Sequence, residues 1–152
     1  MSQTNLSDLT PRRALMTMRI IWLALIMGQL VFLAVIILVI LPNNRSRAVT
    51  PQPLLFWVNA GMLATFVPAA FVVRSIIFRQ KETQGGIPVG AYATGNIIFW
   101  AACEGVSMFG LVVAVLNGSL WPTIAIVAIA LGLQALTFPV GGRIYLPPGE
   151  KL

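Results

Sequence analysis

Hydrophobic residues in this chain come in long unbroken runs, neither alternating with polar residues nor confined to one helical stripe. Four such runs lie at about 20–41, 53–75, 92–116 and 121–140. Each is close to the roughly 20 apolar residues that a helix needs to cross a hydrocarbon core of about 30 Å. A backbone in lipid must satisfy its own hydrogen bonds, so each run is predicted to be helical. A barrel of strands needs polar and apolar residues in alternation, which these runs lack. The pattern predicts an all-α, multi-pass membrane protein. Its four-helix bundle occupies residues 20–141, between an N-terminal segment, 1–19, and a tail, 142–152.

Turn chemistry punctuates the runs. Leu41-Pro42-Asn43-Asn44 is expected to stop the first helix. The polar stretch FRQKETQGG, Phe78–Gly86, reads as a loop. Asn117-Gly118-Ser119 reads as a tight turn, Pro122 suits the first turn of the fourth helix, and Gly141-Gly142 should end it. Pro68 lies inside the second run and should kink it near Ala64. Trp57 and Trp121 fall near the expected interfaces, where indole rings prefer to lie; Trp100 falls within a run.

Composition agrees with this reading. The 152 residues are 58% hydrophobic and 9% charged, where a soluble domain carries about 25% charged residues. The net charge of +6 would suggest nucleic acid in a soluble protein. Here the basic residues flank apolar runs, the usual orienting signal of a membrane protein, so no nucleic-acid partner is expected. Arg12, Arg13, Arg19, Arg74, Arg79, Lys81, Arg143 and Lys151 fall on one side, and only Arg45 and Arg47 on the other. The eight belong in the cytoplasm, which places both termini there. The Arg12-Arg13 pair invites a twin-arginine export reading. The run that follows exceeds the 7–15 residues of a signal core, and no small-residue cleavage site follows, so an uncleaved helix is expected. The chain has no His and one Cys, Cys103. That excludes an internal disulfide, a Ser–His–Asp triad, and zinc, haem or copper sites built from His and Cys clusters. No catalytic residue, metal or cofactor is expected, and Cys103 reads as a small apolar filler.

The first and third runs can be laid over one another. Ile20, Ile21, Ala24, Gly28, Phe32 and Val35 fall on Ile97, Ile98, Ala101, Gly105, Phe109 and Val112. Aliphatic matches carry little weight between apolar helices; Gly28/Gly105 with Phe32/Phe109 in step carries more. The second and fourth runs match weakly, through Thr65-Phe66-Val67-Pro68 and Thr137-Phe138-Pro139. This predicts two helical hairpins in parallel orientation, as in other parallel repeats.

One departure from apolarity stands out. Between residues 83 and 142 the only charged side chain is Glu104, near the centre of the third run; Met27 occupies the equivalent place in the first. A charge at that depth costs about 2.5 kcal/mol or more. No Lys or Arg of this chain lies level with it. Glu104 is therefore expected to be a neutral acid held by hydrogen bonds, to meet a partner's cation, or to face water. The nearest candidates by depth are Gln29 in the first helix, Gln134 in the fourth, and Ser107, one turn away on the same face. The bland alternative is a structural bond worth about 1 kcal/mol that locks the bundle. The functional one is a carboxylate that carries a proton or cation, or docks a partner. Small residues at Gly28, Gly105, Gly110 and Gly132, in spacings such as Ala101-x-x-x-Gly105, are expected to let helices pack closely within the chain.

Two resemblances follow from these residues. With Gly28-Gln29…Phe32 in the first helix and Glu104-Gly105…Phe109 in the third, the whole chain is similar to small four-helix bacterial membrane proteins of uncharacterised function. That resemblance implies a bacterial inner-membrane location. The stretch EGVSMFGLVVAVL, Glu104–Leu116, with Arg79-Gln80 before it, resembles the carboxylate helix and polar loop of the proteolipid (c) subunits of rotary ATPases. That resemblance implies a proton or sodium ion carried by Glu104. The expectation carried forward is a small non-catalytic membrane protein, an accessory or scaffold subunit that packs with itself or with a larger membrane complex. The alternatives are a proteolipid-like ion carrier and a small transporter or channel.

Overall fold

Pro11 opens the first helix, where a missing backbone N–H costs nothing, nine residues before the apolar run begins. The computed structural model describes residues 11–44, 52–82, 86–142 and 144. Arg45, Arg47, Arg143 and Lys151, used above for orientation, lie outside them. About 85% of the described residues are helical. Among them there is no strand, only an isolated parallel bridge between Ile87 and Ile144.

Helix α1 spans Pro11–Val35, passes through a π turn at Ile36–Ile40 and ends in Leu41–Asn44. The described helix ends at Asn44, within the Leu41-Pro42-Asn43-Asn44 stretch expected to stop it. Helix α2 spans Pro53–Lys81, with Pro53 in its first turn and Arg79 and Lys81 in its last. Basic side chains are favourable at that end, where unpaired carbonyls gather. Phe78–Lys81 therefore belong to a helix and not to a loop. Helix α3 spans Val89–Leu116 and α4 spans Thr123–Leu136. Three helical rods are long and apolar enough to cross a membrane; α4 is shorter.

The turn from α3 to α4 is as the sequence leads one to expect. Ser119 N–H donates to Ala114 O and Gly118 N–H to Val115 O, at 3.1 and 3.2 Å. Gly118 has φ +61°. This is the Schellman arrangement, which needs a residue without a Cβ at that point. Asn117 Oδ1 also accepts from Gln52 N–H at 2.9 Å, tying the start of α2 to the end of α3.

Helix α3 is the centre of the bundle. Half of its apolar window is buried inside the protein, against 11% for α1 and 17% for α2. It packs on α2 and α4 along most of its length and on α1 over a shorter stretch. Helices α1 and α2 have almost no contact. This corrects the expectation of two hairpins: α3 and α4 form a packed pair, whereas α1 passes over its neighbour in sequence and leans on α3 and α4. The contacts run Arg19 to Pro139, Trp22 to Gln134 and Gln29 to Gln134, so α1 is antiparallel to α4. Since Trp100 meets Thr137, α3 also opposes α4, and α1 and α3 point the same way.

Close approach is made by two glycines. A Cβ on Gly95 would lie 2.7 Å from Phe78 Cε1. A Cβ on Gly110 would lie 2.6 Å from Asn59 Nδ2 and 2.9 Å from Val127 Cγ2. In lipid no hydrophobic force draws helices together, so such approaches and buried polar bonds supply the cohesion.

Candidate functional site

The fourth apolar run does not form a full helix. Helix α4 has 14 residues, about 21 Å at 1.5 Å each, and Thr137–Val140 continue without helical structure. The carbonyls left open at a helix end must find donors, the more so in apolar surroundings. Trp22 Nε1 donates to Gln134 O at 2.9 Å, and Arg19 Nε to Pro139 O at 3.3 Å. Thr137 Oγ1 lies 2.9 Å from Gln134 O and accepts from Trp100 Nε1 at 3.0 Å. Donors on α1 and α3 thus converge on the end of α4. Trp100 is completely buried, while Trp57 and Trp121 are exposed.

Gln29 and Gln134 meet at this junction. Both are buried, and Gln29 Nε2 donates to Gln134 Oε1 at 2.8 Å. Gln29 Nε2 also reaches Leu25 O at 3.3 Å. The other halves of both amides, Gln29 Oε1 and Gln134 Nε2, are buried without a partner. These two expected partners of Glu104 are therefore brought together with each other. Ser107 is buried and its Oγ has no hydrogen-bond partner.

Glu104 sits near the middle of α3 and is half-buried. Among the described residues its carboxylate makes no hydrogen bond or ion pair. Its neighbours on the outer side are Ala101 and Gly105, both exposed. Nothing lies within 4 Å of a Cβ built on Gly105. With Ile98 and Val112, also exposed, these residues recur at the spacing of one helical face. The result is a shallow notch of small residues beside an unpartnered carboxylate.

Of the four glycines expected to pack helices within the chain, only Gly110 does so. Gly28, Gly105 and Gly132 have open space where a side chain would be. Ala24 and Gly28 on α1 are exposed like their counterparts Ala101 and Gly105, so both halves of the repeat turn this face outward. Met27, the counterpart of Glu104, is 49% exposed.

Asn59 on α2 is a polar residue that the sequence pattern does not single out. It is completely buried against Gly110, and neither side-chain polar atom has a partner. A lone Asn in an apolar helix was the available signal. Among the described residues there is no cluster of three or more His, Cys, Asp or Glu that could hold a metal. Comparison of this chain with family models, with curated proteins and with solved structures finds no match.

Proposed function

We propose that this chain is a non-catalytic packing subunit of the bacterial inner membrane: four spans, both termini cytoplasmic, docking through the Glu104 face of α3 onto a second copy or a larger membrane complex. The observation that carries the reading is Glu104 itself. A mid-span carboxylate without an internal partner is costly. It lies at the edge of a small-residue notch that the chain's own helices leave empty, and such notches let another backbone come close. A helix carrying an amide, hydroxyl or cation at that depth would satisfy both features.

The test is native mass spectrometry after gentle extraction, on the wild type, Gly105→Ile, Glu104→Gln and Glu104→Leu. The expected result is a complex containing this chain that survives Glu104→Gln, weakens with Glu104→Leu and is lost with Gly105→Ile, while thermal unfolding of the chain hardly changes. A bare monomer in every case refutes it. The half-open setting of Glu104 supports one second reading, the ion carrier. That reading requires a ring of many identical copies and pH-dependent labelling of Glu104 by a hydrophobic carbodiimide. Absence of labelling at every pH rejects it.

A further inference from the structure

Arg12 and Arg19 are two turns apart on one face of α1, about 10.5 Å in rise. Leu15 and Met16 lie between them. These four residues and Val140 line a cavity of about 520 Å³. We infer that this cavity binds the phosphate of an anionic phospholipid headgroup, held between the Arg12 and Arg19 guanidinium groups.

Arg19 is pre-positioned for this. Its guanidinium carbon lies 5.5 Å from the centroid of Phe138, an arrangement that orients the cation over the ring. Its Nε is committed to the Pro139 carbonyl. Among the described residues its two terminal NH2 groups have no acceptor, and a planar pair of donors matches phosphate oxygens. Arg12 is exposed, makes no hydrogen bond or ion pair among the described residues, and lines the same cavity. The adjoining cavity, about 250 Å³, shares Val140 and carries Arg74 on its wall, which adds to the positive potential. The described acids, Glu82 and Glu104, line neither cavity.

The remaining walls favour a lipid over a free anion. Leu15, Met16 and Val140 are apolar, and Met16 and Val140 are 65% and 69% exposed. They give acyl chains a path away from the headgroup. The cavity also lies where the apolar run of α1 begins, at the depth of headgroups. Basic pockets between helices at a membrane surface recognise such lipids through the same chemistry.

The experiment uses the full chain, delipidated in detergent and titrated with phosphatidylglycerol or with phosphatidylcholine of the same acyl chains, with bound lipid counted by native mass spectrometry. Phosphatidylglycerol is expected to bind several-fold better. Arg12→Gln and Arg19→Gln should each weaken it roughly fivefold, and the double variant should bring it to the phosphatidylcholine level. Lys81→Gln, at the end of α2, should change nothing. Arg12→Gln carries the test if Arg19→Gln unfolds the protein, because Arg12 is exposed. Equal binding of the two lipids overturns the inference. So does an undiminished preference in Arg12→Gln, or an equal loss in Lys81→Gln. Displacement of phosphatidylglycerol by 10 mM inorganic phosphate would show a free-anion site and overturns the assignment to lipid.

Discussion

Adding one methyl group to α3 at two places should have opposite effects. In Gly110→Ala the new carbon would sit 2.6 Å from Asn59 Nδ2, 2.9 Å from Val127 Cγ2 and 3.3 Å from Thr123 Cγ2. Real Cβ atoms do not tolerate the first two distances, so something must move. Asn59 is fully buried, and Val127 is β-branched and stiff about χ1. They stand on different helices, α2 and α4, so relief requires α3 to draw back from both or both side chains to move. Overpacking of this kind costs about 1–3 kcal/mol. In Gly105→Ala nothing lies within 4 Å of the same carbon. Both changes gain the same helix propensity of Ala over Gly, up to about 1 kcal/mol in water. That contribution cancels when the two variants are compared, so Gly110→Ala should be less stable than Gly105→Ala by about 1–3 kcal/mol. Reversible unfolding in mixed micelles, followed by tryptophan emission, measures the difference. If Gly110→Ala is as stable as Gly105→Ala, α3 is not clamped between α2 and α4 and the central position assigned to it is wrong.

Other predictions use the same assay. Gln29→Leu and Gln134→Leu should each destabilise by about 1 kcal/mol, because each strands a buried amide. The double variant should lose less than the sum, and strict additivity would deny the Gln29–Gln134 bond. Trp22→Phe keeps the ring but removes the donor to Gln134 O, and should cost about 1 kcal/mol. An unchanged midpoint would mean that the Thr137 hydroxyl and N–H alone satisfy that carbonyl. Thr137→Val should behave similarly, because it removes the acceptor for Trp100 and leaves that indole N–H buried without a partner.

Local chemistry was legible in the sequence, and partner choice was not. The Asn117-Gly118-Ser119 turn follows from the need for a left-handed residue after α3. Depth along the helices singles out Gln29 and Gln134 as partners for Glu104, and the structure buries both. Their preference for each other over Glu104 was invisible, because depth along a helix says nothing of rotation about its axis. The glycines show the same difficulty. Gly110 and Gly105 look alike in sequence, and a helix that is apolar all round gives no polar face to separate inside from outside. The loop reading of Phe78–Lys81 rested on a polar stretch after an apolar run; the helix instead continues to Lys81, with the Arg74 guanidinium against the Phe78 and Phe99 rings. The early end of α4 has no local signal before Pro139, and depends on donors brought from α1 and α3.

The lack of contact between α1 and α2 has a consequence for biogenesis. These helices leave the ribosome before α3 and α4, yet neither offers the other a surface. Asn59 waits for Gly110 on α3, and Gln29 waits for Gln134 on α4. During synthesis both amides must stay with lipid, with each other or with the insertion machinery. The first half is therefore not a folding unit, and maturation is gated by the arrival of α3 and α4.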